Sequence, residues 1–250
     1  MTEKLKGKKL IRNGLLLSAI LFVAFPACNS GASENNSNGN ALQYYILPPP
    51  VTDGNISVER ALAERRSRRQ FQNRALSAQK LSQILWAAYG VTLPLPQHPG
   101  LRGGLRTTPS AGALYPLEIF VAVGNVEGIP SGVFRYIPAE HKIVRTSWTD
   151  VRSPLRDAAF GQRMVEDAPV TLIFTAVFSR VTGRYGVRGR RYVYMEVGHS
   201  AQNVYLQAHV LGLGTCAIGA FFDDRVSNVL QLAANEEPLY IMPIGYFYRW

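Results

Sequence analysis

A single domain with helices packed on a sheet, an α+β or α/β sandwich, is the architecture this sequence predicts. Three observations predict it. Apolar residues recur at helical spacing in two Ser-capped segments and in one long segment towards the C-terminal end. Short apolar runs bounded by Pro and Gly alternate with them as strands do. One pair of such runs is joined by a turn short enough for a hairpin. Strands and helices in this order give an α+β or α/β sandwich. A chain of 250 residues, 47% of them hydrophobic, is enough to fill one core.

The elements follow in order. Leu47-Pro48-Pro49-Pro50 opens the folded region. Ser57 caps a short helix through Val58, Leu62 and Arg65, and Ser77 caps a second through Leu81, Ile84, Leu85, Ala88 and Tyr89, which Gly90 ends. Residues 91–105, rich in Pro and Gly, read as a loop. Residues 117–123 form an apolar strand, and 133–137 pairs with 142–145 as a hairpin. A short helix covers 151–160. A continuously apolar strand, 170–178, suits a position buried on both faces. The long segment 190–213 reads as the central helix, apolar nearly all round. A strand at 215–221, a helix at 223–232 and a last strand at 239–246 complete the domain. The sequence contains no internal repeat.

Ahead of this domain lies the three-part plan of an export signal. Lys4, Lys6, Lys8, Lys9 and Arg12 precede the apolar stretch 14–25, which is shorter than the roughly 20 residues a spanning helix needs. It ends at Phe25-Pro26-Ala27-Cys28, a small residue before a cysteine, as in a bacterial lipobox, although Phe25 and Pro26 depart from the preferred pattern. The expectation is a signal over 1–27, lipidation at Cys28, a flexible Ser/Asn/Gly-rich tether over 28–46, and a folded domain over 47–250. The mature protein would then be an exported lipoprotein, held on the periplasmic or outer surface of a bacterial membrane by its N-terminal lipid.

Formal net charge is +10, but part of it belongs to the leader. The remaining basic residues cluster at 65–69 and 184–191, so partners of negative charge are indicated locally. Cys28 and Cys216, with four scattered histidines, show no metal-ligand spacing, so no metal site is expected.

Three constellations carry chemistry. Arg65-Arg66-Ser67-Arg68-Arg69-Gln70-Phe71 places several guanidinium groups and a hydroxyl at a helix end, a donor set that matches a phosphate, or else simply a solvated basic face. Thr108-Pro109-Ser110-Ala111-Gly112-Ala113-Leu114-Tyr115-Pro116 is small and rigid, as a backbone must be to approach a flat ring closely; an ordinary turn needs less. Gly212-Leu213-Gly214-Thr215-Cys216-Ala217-Ile218-Gly219 follows the long helix and presents glycines that permit positive φ and open N–H groups. No Gly-x-Gly-x-x-Gly opens a βαβ unit, so a dedicated nicotinamide-binding domain is not indicated.

Taken in order, RRSRRQF, PSAGALYPLEIFV, GHSAQNVYLQAHVLGLGTCAIGAF and MPIGY resemble the nitroreductase superfamily, and more narrowly its SagB-type dehydrogenase branch. The resemblance spans about Ser57 to Tyr246. It implies an α+β fold, a nitroreductase-like sandwich with a central, mostly antiparallel sheet flanked by helices, that forms a homodimer, with FMN at the interface and NAD(P)H as a transient electron donor. Carried over by position, Arg65, Arg66, Ser67 and Arg69 would meet the phosphate and ribityl chain. Pro109, Ser110, Ala111 and Gly112 would lie along the flavin from the partner chain. Gly214, Thr215, Ala217, Ile218 and Gly219 would lie by the ring. Arg249 is a loose match to a further phosphate contact. The implied activity is FMN-dependent electron transfer, by a ping-pong cycle, between a donor and a small-molecule or peptide-derived substrate. The basic run then serves the cofactor, and no nucleic-acid partner is expected.

The SagB-type azoline oxidases carry a Lys-Tyr pair before the central helix. Here Tyr185 matches, but Arg184 replaces Lys, and a guanidinium does not act as a base. Tyr185 is the one catalytic candidate. Glu196, His199, Gln202 and Asn203 share the long helix, with His199 read as structural, and Cys216 is read as packing. Gly198, Ala201, Tyr205, Ala208 and Gly212 would let two such helices approach. Two rival readings remain: a non-catalytic lipoprotein that binds an anionic partner through its basic patches, and a peptide azoline oxidase.

Overall fold

A computed structural model describes residues 43–248. The export signal, Cys28, most of the tether and Arg249 lie outside the described residues. Within them no helix is long and apolar enough to cross a membrane.

Seven strands form one sheet, β1 (Tyr44–Ile46), β4 (Leu117–Val123), β5 (Gly132–Ile137), β6 (Lys142–Ser147), β7 (Val170–Ala176), β8 (Gly214–Thr215) and β9 (Glu237–Gly245), in the order β1-β6-β5-β4-β7-β9-β8. Every adjacent pair is antiparallel. The α+β expectation is therefore met. Two helices, α2 (Ala78–Tyr89) and α6 (Gly189–Val210), cover one face, and α3 (Arg152–Ala158), α4 (Met164–Asp167) and α7 (Asp223–Leu230) the other.

The central strands show why this is one folding unit. Along β4, Ile119, Val121 and Val123 enter the core under α2 and α6, while Phe120 and Ala122 enter the core under α3 and α7. In β7, Leu172 and Phe174 alternate with Ile173 in the same way. A strand buried on both faces needs apolar side chains at every position, so its run is continuous rather than alternating. The helix starts are set locally: the hydroxyls of Ser57 and Ser77 accept from the backbone N–H of Arg60 and Lys80, and so begin α1 (Val58–Glu64) and α2.

The one strongly polar position in β4, Glu118, is 6% exposed and held by Arg102 (2.6 Å), Arg180 (2.6 Å) and Arg135 (3.2 Å). Burial alone would raise its pKa, but the three guanidinium groups outweigh it and hold the carboxyl below its usual range. A carboxylate can be buried here because it is fully paired.

Several expectations are corrected. The stretch read as a loop at 91–105 contains a two-stranded ribbon, β2 (Val91–Pro94) with β3 (Gly104–Arg106). The tether reading ends too late, since Tyr44–Ile46 pairs with β6 and Tyr45 is buried. The strand expected at 215–221 is only β8 plus a bridge from Ile218 to Ile241. An unforeseen helix, α5 (Ser179–Tyr185), precedes α6. The central helix itself is not enclosed on all sides within one chain. Val193, Glu196, Val197, Ser200, Ala201, Val204 and Ala208 face inward, while Arg191, Tyr194, Met195, Gly198 and His199 are exposed. Ala201 and Ala208 are thus spent on the chain's own core and are not free for a helix-to-helix approach.

Candidate active site

The arginine run and the glycine block, about 150 residues apart in sequence, meet at the β8 edge of the sheet. Ser67 bridges in parallel to Thr215, with the N–H of Arg68 donating to the Thr215 carbonyl at 2.9 Å. Tyr205 of α6 ties the two together. Its hydroxyl lies 3.1 Å from Ser67 Oγ and accepts from the N–H of Ala217 at 2.7 Å. The guanidinium of Arg65 stands 5.4 Å from the centre of the Tyr205 ring. Glu64, Arg66, Arg68, Tyr205, Thr215, His209 and Phe247 line a recess of about 230 Å³. Ser67, Arg68 and Arg69 line a second, adjoining one.

The edge is mainly positive: its one carboxylate among the described lining residues, Glu64, is engaged by Arg60 at 2.9 Å and His209 at 3.2 Å. Among the described residues, no carboxylate pairs with Arg65, Arg66, Arg68 or Arg69. Thr215 Oγ1 is buried in the recess with no hydrogen-bond partner. A buried hydroxyl without a partner is costly and needs an explanation. Unpaired guanidinium groups around an orphaned hydroxyl fit a phosphate-bearing group. The recess also shows what the sequence missed: Arg68 lines both recesses, and Tyr205 links the blocks, although neither was singled out for the cofactor.

The glycine block is less open than expected. Ala217 spends its N–H on Tyr205, and Ile218 exchanges both backbone bonds with Ile241. Gly214 is required by packing, since a Cβ there would stand 2.6 Å from that of Arg68. Gly219 is the predicted residue of this block that lies exposed at the surface. Cys216 is buried, 3.8 Å from Met164 Sδ, and burial pushes its thiol up to about 11, so it packs rather than reacts.

The second block stands elsewhere. Glu196, which touches it, precedes Tyr205 by nine residues, about 13 Å along α6. Pro109 and Gly112 are exposed, and Ser110 and Ala111 half-buried. Its backbone is strained at Ala113 and Tyr115, which take φ of 54° and 47°, while Gly112 takes φ 63° without cost. A tyrosine in the left-handed region is unusual and must be held there. The Tyr115 N–H donates to Ser110 Oγ at 2.9 Å, Arg102 donates to the Tyr115 carbonyl at 2.6 Å, and the Arg106 guanidinium stacks 4.7 Å from the Tyr115 ring.

Tyr185 ends α5 and does lie against this block. A Cβ on Gly112 would be 2.7 Å from its hydroxyl and 3.1 Å from Arg184 Nη1. The Tyr185 ring meets Tyr192 edge-on at 5.2 Å. His199 is on the exposed side of α6, away from the buried contacts of that helix.

One chain thus carries a basic recess beside Tyr205 and, about 13 Å away along the same helix, the block at 109–115, on an α+β sandwich. The chain belongs to the nitroreductase family, whose model matches residues 62–246. It is 47% identical over 190 residues to a protein of Methanocaldococcus jannaschii named as a nitroreductase, across 76% of this chain and 91% of that one. It is 29% identical to the microcin B17-processing protein of Escherichia coli over 132 residues, about half of each chain (51% and 48%). A solved structure from Ralstonia eutropha, described as a nitroreductase, superposes with a TM-score of 0.70 at 28% identity, covering 91% of this chain and 96% of that one. The protein is accordingly a nitroreductase-family oxidoreductase.

Proposed function

We propose that the chain is an FMN-dependent oxidoreductase whose site is divided between two copies of itself. The observation that carries this reading is the meeting of Arg66, Arg68 and the orphaned Thr215 hydroxyl at one recess, with Arg69 on the adjoining one and Arg65 over Tyr205, and the second block about 13 Å away along the same helix. Arg65, Arg66, Ser67 and Arg69 would hold the phosphate by charge-assisted hydrogen bonds. Tyr205 fixes the backbone at 217, which keeps the ring-side wall in place. Residues 109–112 of the partner would cover the ring and exclude water. Bound FMN supplies two-electron redox chemistry, taking a pair of electrons from a donor such as NAD(P)H and returning it to a second substrate. Tyr185 and Arg184, beside Gly112, would orient that substrate, a small molecule or a peptide-derived ring.

The open side of α6 supports the twofold arrangement. Tyr194 and Met195 are 50% and 52% exposed on it, and covering such a face is what an obligate symmetric interface does. The test is anaerobic. Purified protein loaded with FMN should bleach on addition of NAD(P)H and recover its colour with a quinone or nitroaromatic. A protein that loads with flavin yet exchanges electrons with neither partner would leave only a binding role.

The export signal and Cys28 give a membrane-tethered mature protein in this reading. Cys28→Ser should release it to the soluble fraction. A variant that still sediments with membranes as the wild type does contradicts lipid anchoring.

A further inference from the structure

Beneath the strained block lies a buried polar cluster that the electron-transfer reading does not use. Glu196, on the inward side of α6, is 2% exposed. Its Oε1 accepts from the Tyr89 hydroxyl at 2.5 Å, and its Oε2 accepts from the Ser110 hydroxyl at 2.6 Å. Tyr89 is itself fully engaged, since its oxygen accepts the N–H of Leu117 at 3.3 Å. Ser110 accepts the N–H of Tyr115. Among the described residues no guanidinium forms an ion pair with Glu196; Arg106 of β3 is the nearby cation, stacked 4.2 Å from the Tyr89 ring with its Nε unpartnered.

A hydroxyl has one hydrogen and two lone pairs, and this fixes what Ser110 can do. One lone pair is taken by Tyr115 in every state. While Glu196 is ionised, the Ser110 hydrogen points inward to Oε2. When Oε2 carries a proton, Glu196 becomes the donor, the second lone pair of Ser110 accepts, and the Ser110 hydrogen is released. It then has only the outward direction left, towards whatever lies against residues 109–112. Tyr89 keeps donating to Oε1 in both states, so Oε2 is the oxygen that titrates.

We propose that Glu196 is a positioning residue whose protonation sets the direction of the Ser110 hydroxyl, turning it into an outward donor that relays one proton to a ligand at that face. The balance is simple. The ligand atom takes the Ser110 hydrogen, Ser110 takes the hydrogen on Oε2, and Glu196 is left as the carboxylate. Its charge is then held by Tyr89 and by the field of Arg106, and it is reprotonated before the next cycle. Placing the ligand at residues 109–112 rests on the proposed flavin site, but the coupling between Glu196 and Ser110 does not.

The surroundings suit the task. Burial pushes the Glu196 carboxyl up to about 7, against the opposing pull of the Ser110 and Tyr89 hydrogen bonds and of Arg106. The groups facing it are Tyr89 of α2, Arg106 of β3, and Ser110 and Tyr115 of the loop before β4. Burial raises both tyrosines, so neither phenol ionises in the same range.

The test begins without flavin. Infrared difference spectra of the full chain between pH 5 and pH 9 should show a protonated-carboxyl band that titrates near neutrality and is missing in Glu196→Gln. Ser110→Ala should keep the band and move its midpoint upward, because the carboxylate loses a donor. With FMN loaded, the wild type should lose turnover as pH rises through the same midpoint, and both variants should lack that limb. No titrating band, or a midpoint unmoved in Ser110→Ala, would overturn the coupling. A band that behaves as described in a chain that takes up no flavin would instead contradict the flavin site and leave the Glu196–Ser110 coupling standing.

Discussion

An Arg65→Ala/Arg69→Ala double variant is expected to fold as the wild type does and to bind FMN ~100- to 10,000-fold more weakly. Arg69 is exposed and Arg65 half-buried, and neither is ion-paired among the described residues, so the fold loses little when they are removed. Charge-assisted bonds to a phosphate contribute about 1.5–3 kcal/mol each, so two of them amount to roughly 3–6 kcal/mol. At about 1.4 kcal/mol per tenfold, that gives the stated range. A flavin titration alongside a thermal melt separates binding from folding. Wild-type affinity in a well-folded variant removes the arginines from the cofactor site. A collapsed melt would show that the run is structural, which its solvent exposure argues against.

Much of the fold was legible because its signals are local. Ser57 and Ser77 announce helix starts through their hydroxyls, Pro138 marks the hairpin turn, and β7 declares two-sided burial by having no polar break longer than one residue. What failed was non-local. β1 is three residues long and is a strand only because β6 offers an edge. The β2–β3 ribbon encloses a Pro- and Gly-rich connection, which reads as loop, and β3 starts at Gly104, opposite Pro94 and at φ 141°, where a Cβ would meet the Leu93 carbonyl at 2.1 Å. α6 was read as enclosed because composition does not show which face the rest of the chain reaches. Its Ala201 and Ala208 go inward, and its Tyr194 and Met195 are left open.

The candidate site divides in the same way. The three blocks were visible as unusual local composition. That Ser67 would pair with Thr215, or that Tyr205 would join them, depends on how α6 crosses the sheet edge, and no spacing in the sequence encodes it. Glu196 was noticed only as one polar residue on a helix. A glutamate in α6 looks the same in sequence whether it is solvated or locked between Tyr89 and Ser110.

The division of the site between chains has a sharper consequence. Gly112 is exposed and takes φ 63°, and a Cβ there would stand 2.7 Å from the Tyr185 hydroxyl and 3.1 Å from Arg184 Nη1, so Gly112→Trp strains one loop residue by about 1–3 kcal/mol and displaces those two side chains, while the sheet and the helices over it are not in its way. In the proposed dimer its indole would fill the space the flavin ring needs, and a dimer of this variant should carry almost no flavin. The arginine double variant should likewise be nearly empty, for a different reason and at the arginine edge. When the two variants are coexpressed, about half of the dimers are mixed by random assortment. Each mixed dimer then has one site in which both lesions fall together and one in which neither does.

The measurement is the FMN content per chain of that coexpressed sample, with its mass confirmed by light scattering. A divided site restores about a quarter of the wild-type occupancy, all of it in mixed twofold dimers. Occupancy no higher than in either variant alone, while wild-type protein binds flavin fully, would mean that each chain builds its own complete site.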